Sequence, residues 1–313
     1  MPVGIVDSQS IAAPATSAAR RRRYPPQRLM LLLPAIVYLA LITQAPFILT
    51  LWYSIHKWIL DSPDLSKPLV GLDNFTYTVT QDTVFRDAVV NSIIITFSII
   101  AVTLLLGLAF ALLLHRPFPG RGLLRALMIA PFFVMPTVNA VVWKNFLLDP
   151  IVGLFDWLLG AAHLHQVDWL TNYPKLSIVA IAAWQWTPFM MLILLAGLQG
   201  ISDEVREASR MDGVSLWGEF LFVTLPLLVR YIELCILLGT IYVLNLFGEI
   251  RVATGGGPGT QSTTVPYYTY QTIHDYNDVG AAAALGVLAV IFASIIAAVL
   301  LRLLTRTFSG GEG

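Results

Sequence analysis

Glu207-Ala208-Ser209-Arg210-Met211-Asp212-Gly213, followed nine residues later by Val223-Thr224-Leu225-Pro226, is a polar, charge-mixed island in an otherwise strongly apolar chain. A membrane protein exposes a compact helical segment with its own glycine hinge where something docks from the aqueous side. With no partner, the same charges describe a solvated amphipathic turn. The sequence on either side of the island decides between the two.

Of the 313 residues, 57% are apolar and 12% charged, whereas soluble domains carry about 25% charged residues. Six segments are long and apolar enough to cross roughly 30 Å of hydrocarbon. They are Leu29–Leu51, Ser92–Leu114, Leu123–Leu147, Leu176–Leu198, Phe222–Phe247 and Gly280–Leu304. The expected fold class is all-α, a polytopic membrane protein with six transmembrane helices. The third, fourth and fifth segments hold Pro131, Pro136, Asn139, Gln185, Pro188, Arg230, Glu233 and Asn245. Such groups are costly against lipid, so these spans are expected to face a protein interior or a water-filled path.

With the N-terminus placed inside, the inner segments carry twelve Lys and Arg residues and the outer segments six. That bias places both termini and the Glu207 island in the cytoplasm. Residues 1–27 read as a disordered basic cytoplasmic tail carrying the run Arg20–Arg23. The apolar run follows the basic one and lacks a small-residue cleavage site, which argues against a signal peptide. The basic run sets topology and touches anionic lipid rather than nucleic acid. Residues 28–87 hold the first span and an outer loop. Residues 88–304 form the transmembrane core, with the cytoplasmic loop at 199–221, and residues 305–313 a cytoplasmic tail.

Several chemical signals fall short. The single Cys235 excludes an intrachain disulfide and reads as a small buried hydrophobe. Thr254-Gly255-Gly256-Gly257-Pro258-Gly259 lacks the Gly-Lys-Ser/Thr that a nucleotide-binding loop needs. His163 and His165, with Asp168 near by, suit a polar outer loop better than a weak metal site. No catalytic cluster and no metal site are assigned, and the chain is not expected to be an enzyme. Trp157 and Trp169, in a second outer loop, read as interface anchors.

The opening stretch closely resembles the coupling loop of ABC-importer permeases, whose pattern is E-A-A, three residues, Gly, nine residues, then I-x-L-P. Glu207, Ala208, Gly213, Leu225 and Pro226 match, Ser209 stands for the second alanine and Val223 for the isoleucine. The resemblance covers nearly all of Arg28–Phe308. Val70-Gly71-Leu72-Asp73-Asn74-Phe75, Trp143-Lys144 and Thr254-Gly255-Gly256-Gly257-Pro258 are similar to sugar permeases of the maltose-permease type. Ala130-Pro131-Phe132-Phe133-Val134-Met135-Pro136-Thr137, Ala183-Trp184-Gln185-Trp186-Thr187-Pro188-Phe189 and Phe247-Gly248-Glu249-Ile250 resemble the sorbitol and mannitol permeases of that group.

What the resemblance implies is the type I ABC importer permease fold in the bacterial inner membrane and an importer of several parts. Its partners are a second, different permease chain, two copies of a cytoplasmic ABC ATPase, an extracytoplasmic solute-binding protein and a small carbohydrate. ATP and Mg are used by the partner ATPase, and this chain binds no cofactor. By position, Glu207, Ala208, Ser209, Asp212, Gly213, Leu225 and Pro226 form the ATPase-coupling segment. Glu207 makes a polar contact, and Gly213 allows a turn between two short helices. Asp203, Glu204, Arg206 and Arg210 form its rim.

A neutral, hydroxyl-rich solute needs aromatic faces and amide or hydroxyl partners. Phe132, Asn139, Gln185, Trp186, Phe189, Tyr242 and Asn245 offer that mixture on the third to fifth spans. Helical spacing places Gln185 with Phe189, and Tyr242 with Asn245, on common faces. Each aromatic also suits plain helix packing, and each amide suits an interhelical hydrogen bond. Arg230 and Glu233, three apart, read as an ion pair, as a snorkelling arginine, or as proton-coupling groups. The last reading belongs to the alternative function, a secondary transporter driven by an ion gradient. That class needs no coupling loop and shows inverted repeats, which this sequence does not display.

Overall fold

The computed structural model describes residues 26–62, 66–211 and 213–309. The expectations for the basic tail up to Tyr24 and for Asp212 lie outside these residues. The chain divides between Ile48 and Leu49 into two units. The described part of the first belongs to helix α1 (Pro26–Ser54), and everything below concerns the second.

All regular structure among the described residues is helical. After α1 come α2 (Asp73–Thr80), α3 (Thr83–His115), α4 (Arg121–Ile129), α5 (Pro136–Val142), α6 (Leu154–Ala161) and α7 (Trp169–Asn172). Then follow α8 (Pro174–Gln199), α9 (Asp203–Met211), α10 (Leu216–Glu219), α11 (Leu225–Val243), α12 (Gly248–Ala253), α13 (Val265–His274) and α14 (Val279–Ser309). Five stretches are long and apolar enough to cross a membrane: Leu32–Ser54, Thr83–His115, Pro174–Gln199, Leu216–Val243 and Val279–Leu303. Arg121–Phe133 and Pro136–Leu147, bent by 101° at the break between them, pass the same test only as a pair and make a sixth crossing if they form one span.

Two expected boundaries are corrected. The second span begins nine residues earlier than expected, at Thr83, because Asp82 caps it and accepts a hydrogen bond from the Phe85 amide at 3.0 Å. The fifth span runs over Leu216–Val243, not Phe222–Phe247. Its helix ends at Val243, and Gly248 opens the separate helix α12. The last candidate span, Val279–Leu303, agrees with the expected Gly280–Leu304 and belongs to a helix that runs over Val279–Ser309.

The core is the contact of α3 with α8, with α11 laid against both. A Cβ at Gly107 of α3 would stand 2.8 Å from Met190 Cβ of α8, so the two backbones meet with no side chain between them. Small residues provide this close approach in membranes, where burial against lipid supplies little drive. Ile95, Ile99, Met190, Met191, Leu194 and Leu228 fill the seam and are almost wholly buried. Cys235 is buried there too, in keeping with its reading as a small hydrophobe.

Polar side chains lock one end of the bundle. Asn74 Nδ2 donates to the Ser54 and His56 carbonyls at 2.8 and 3.1 Å, closing the end of α1. Asn91 Nδ2 donates to the carbonyls of Thr260 and Thr263 at 2.7 and 3.0 Å, tying the glycine-rich loop to α3. That loop is tight as well as turned. Gly256 has φ +79, and a Cβ there would lie 2.5 Å from Thr263 Oγ1. The glycine run is thus a packed corner, and its composition follows from that geometry.

Candidate functional site

The break in the third crossing starts from two prolines. Ala130–Phe133 is a 3-10 turn with Pro131 at its start. Pro136 then disfavours helical angles at the residue before it, and Met135 is extended, with φ −60 and ψ 137. Val134 is extended as well. An interrupted helix leaves backbone groups that need partners inside a membrane. The amide of Gln185, on α8, supplies one: its Nε2 donates to the Val134 carbonyl at 2.6 Å.

The same amide accepts from Asn139 Nδ2 at 2.9 Å, and Asn139 also donates to the Ile181 carbonyl at 3.1 Å. Asn139 is fully buried and Gln185 is 4% exposed. In this arrangement both amides bond between helices, holding the break against α8 with almost no exposed surface. Asn139 Oδ1 is buried without a hydrogen-bond partner among the described residues.

The aromatic candidates do come together. Phe132 stacks on Phe189 with centroids 5.6 Å apart and meets Trp186 edge-on at 5.7 Å. Trp186 in turn stacks on Tyr242 at 5.4 Å. The four rings join the break, the middle of α8 beside Pro188 and the end of α11. Tyr242 is 52% exposed and forms the accessible edge. Trp186 Nε1 is buried with no acceptor among the described residues, so the cluster holds a hydrogen-bond donor that nothing in it uses. Gln185 and Phe189, expected on one face, are one turn apart, but only Phe189 belongs to the ring cluster.

Tyr242 and Asn245 part company. Asn245 donates to the Ile241 carbonyl at 2.8 Å and lines a small cavity of about 50 Å³ with Ala293, Ala297 and Leu300 of α14. The backbone still turns helically between them, the Asn245 amide donating to the Tyr242 carbonyl at 3.3 Å, but the Tyr242 ring lies against Trp186 while Asn245 lines the cavity beside α14. Arg230 is exposed and Glu233 half-buried. No ion pair joins them among the described residues, and Glu233 Oε1 is buried without a partner there. On the opposite face of α8, a cavity of about 440 Å³ is walled by Val102, Leu106, Met128, Trp184, Pro188 and their neighbours. Its lining is apolar apart from Thr187, which leaves a polyhydroxylated solute almost nothing to bond.

The second functional element is the island. Helix α9 spans Asp203–Met211, and Gly213 turns the chain with φ +74, a conformation that costs other residues about 1–2 kcal/mol. The expected glycine turn between two short helices is thus present. Ser215 caps α10, its Oγ accepting from the Gly218 amide at 3.2 Å. A π-turn at Phe220–Thr224 leads into α11, with the Leu225 amide donating to the Phe220 carbonyl. Pro226 follows, and its missing N–H is accommodated at the first turn of α11. Glu207 is exposed and Ser209 buried, so α9 turns one side inward and leaves the other free. Ala208 lies in α9. Val205 and Met211 are exposed near Glu207, Met211 by 87%. A mixed polar and apolar surface of this kind is what a protein partner recognises.

One functional candidate was missed in the sequence. Glu249, in the first turn of α12, is 2% exposed, and burial pushes its carboxyl upward from the ordinary glutamate range. Neighbouring Gly248 sits so close to the break that a Cβ would lie 3.3 Å from Pro136 Cβ and 3.2 Å from Thr137 Cγ2. The signal available was the apolar setting Leu246-Phe247-Gly248-Glu249-Ile250, unusual for a solvated loop acid. A carboxyl whose folded pKa is raised binds its proton more tightly in the folded state. Its contribution is then most favourable at acid pH and is lost as pH rises from the ordinary carboxyl value through the raised one. Glu249→Gln is expected to flatten that part of the thermal-stability profile and to raise stability at neutral pH. A midpoint that depends on pH as in the parent chain would contradict it.

Comparison with known proteins bears on both elements. The model of the family described as "Binding-protein-dependent transport system inner membrane component" matches residues 15–310. The chain is 35% identical over 283 residues to the probable ABC transporter permease protein y4oQ of Sinorhizobium fredii, covering 90% of this chain and 89% of that protein. It is 35% identical over 253 residues to the trehalose/maltose transport system permease protein MalF of Thermococcus litoralis, covering 79% and 84%. Identity to the trehalose transport system permease protein SugA of Mycobacterium tuberculosis is 31%, covering 90% of each chain. In the crystal structure of a bacterial ABC transporter that imports the acidic polysaccharide alginate, one chain superposes with a TM-score of 0.75. That match is 20% identical and covers 90% of this chain and 96% of that one. The likeness extends the expected ABC-importer permease fold to this chain.

Proposed function

This chain belongs to the family of binding-protein-dependent transport system inner membrane components, and from that premise we propose that it is the permease subunit of an ATP-driven carbohydrate importer. The observation that carries the reading is the exposed segment α9–Gly213–α10, self-contained and continuous with α11 through Leu225 and Pro226. A partner ATPase, present in two copies and using ATP and Mg, docks there on the cytoplasmic side. Both termini lie on that side by the charge bias. A second, different permease completes the path, and a solute-binding protein loads it from outside. Closure of the ATPase pair moves the docked segments, and the bundles alternate access by rigid-body rearrangement.

The carbohydrate assignment rests on relatives named for trehalose and maltose and on the ring cluster. Aromatic faces suit the C–H surfaces of a sugar or polyol. Tyr242, the exposed ring, meets the solute first. Sorbitol and mannitol remain the finer reading, from the residue stretches shared with their permeases and from the bulk of Trp186.

Co-purification from native membranes in mild detergent tests the assembly. An ABC ATPase, a second permease and a solute-binding protein are the expected companions, and repeated recovery of this chain alone contradicts the reading. Thermal shift of the recovered binding protein against trehalose, maltose, sorbitol and mannitol then names the solute. For the path, Tyr242→Ala and Trp186→Ala are each expected to raise the KM of uptake about tenfold, the loss of roughly 1.4 kcal/mol. Unchanged KM in both variants removes the cluster from the path.

A further inference from the structure

The apolar run of α3 from Ile93 to Leu114 holds no charged residue over 22 positions. At 1.5 Å per residue it is about 33 Å long, the thickness of the hydrocarbon layer. Arg116, just beyond it, therefore stands at headgroup depth on the membrane face that carries α9. Trp217, at the start of the fifth crossing, stands at the same level, where tryptophan is favoured.

Between these two points lies a cavity of about 810 Å³, bounded by the end of α3, the start of α4, the end of α8 and the residues from Leu216 to Thr224. Its two ends differ in chemistry. One presents the guanidinium groups of Arg116 and Arg121. Arg116 is exposed, and Arg121 spends one N–H on the His115 carbonyl at 3.3 Å, leaving most of its five donors. The other end is apolar, formed by Leu112, Leu216 and the stacked pair Trp217 and Phe220 at 5.6 Å. Glu219 also lines the cavity, but it is buried and engaged within the protein.

A cationic rim at headgroup depth joined to an apolar wall fits an amphipathic anion. We propose that this cavity binds one anionic phospholipid from the adjacent leaflet, its phosphate on Arg116 and Arg121 and its upper acyl chain against Trp217 and Phe220. The bound lipid wedges between α3 and the segment that follows Gly213, and so sets how firmly α10 is held against the bundle. The assignment needs only that the chain spans the membrane and is independent of which solute it carries.

Photoactivatable phosphatidylglycerol and phosphatidylcholine analogues test it, in native-like discs holding the assembled complex, with adducts mapped by peptide mass spectrometry. Adducts on His115–Arg121 and Leu216–Phe220 are expected to favour phosphatidylglycerol, roughly fivefold for each contributing arginine. Arg116→Gln is expected to remove about fivefold of that preference, and Arg116→Gln with Arg121→Gln all of it, with labelling elsewhere unchanged. Because Arg121 also closes α3, the single Arg116 variant keeps the test valid if the double variant folds poorly. Equal labelling by both lipids, or a preference that Arg116→Gln leaves undiminished, overturns the proposal. So does loss of the preference on adding inorganic phosphate, which would make the cavity a site for soluble anions.

Discussion

Replacing Gly213 with proline is expected to abolish ATP-driven uptake while the chain remains in the membrane. The residue sits at φ +74, and proline is confined to φ near −65°. The turn between α9 and α10 cannot then close, and the Val214 amide loses its acceptor, the Ser209 carbonyl at 3.3 Å. Gly213→Ala is milder, since it meets open space and carries only the conformational cost of about 1–2 kcal/mol. Glu207→Ala leaves the turn intact and removes an exposed carboxylate from the docking side. A hydrogen bond to a charged group contributes about 1.5–3 kcal/mol, so uptake is expected to fall at least tenfold with hydrolysis retained. Uptake and ATP hydrolysis measured together in reconstituted vesicles separate these outcomes. Undiminished uptake by Gly213→Pro removes the segment from the coupling path.

The second large effect belongs to Gln185. Its side chain is the shared partner of the Val134 carbonyl and of Asn139, and each buried polar group left unpaired costs about 1–3 kcal/mol. Gln185→Ala is therefore expected to destabilise the bundle by roughly 2–6 kcal/mol and to lower its yield in the membrane. Gln185→Glu keeps the acceptor for Asn139 but loses the donor to Val134, and should fall between the two. Thermal unfolding of the purified chain, read beside uptake kinetics, decides its role. A raised KM with unaltered stability would make Gln185 a solute contact after all.

The contrast between these two residues marks what one-dimensional reading reaches. The segment around Gly213 was legible because everything it needs is local: a polar run, a glycine at the turn and a proline at the next helix start. The spans were legible for the same reason, since length and apolarity are local quantities. The bend at Val134 and Met135 was only half legible. Pro131 and Pro136 announced irregularity, but its size and the amide that stabilises it depend on a residue 51 positions away.

Long-range pairing also explains the amides. Asn139 and Gln185 are 46 residues apart, and neither position alone distinguishes a hydrogen bond between helices from one to a solute. Tyr242 and Asn245 were grouped by helical spacing, which does not reveal that the neighbours of the first lie on α8 and those of the second on α14. Glu249 drew no reading of its own, because its burial comes from its place in the folded bundle, beside the break. The four rings were recovered for a simpler reason. Large aromatics within a membrane bundle seek one another whichever role they serve, and Phe132, Trp186, Phe189 and Tyr242 lie on elements already expected to face inward.

The central claim is that work enters this chain through α9 and Gly213 from ATP hydrolysed by a partner. Its most direct test is uptake of labelled trehalose, maltose, sorbitol and mannitol into vesicles containing the purified assembly. ATP is enclosed or withheld, and proton and sodium gradients are imposed or collapsed. Uptake that requires ATP and the binding protein, and that ignores both gradients, is the expected result. Accumulation driven by an ion gradient without ATP would contradict the account and turn attention to the unpartnered carboxyl oxygen of Glu233.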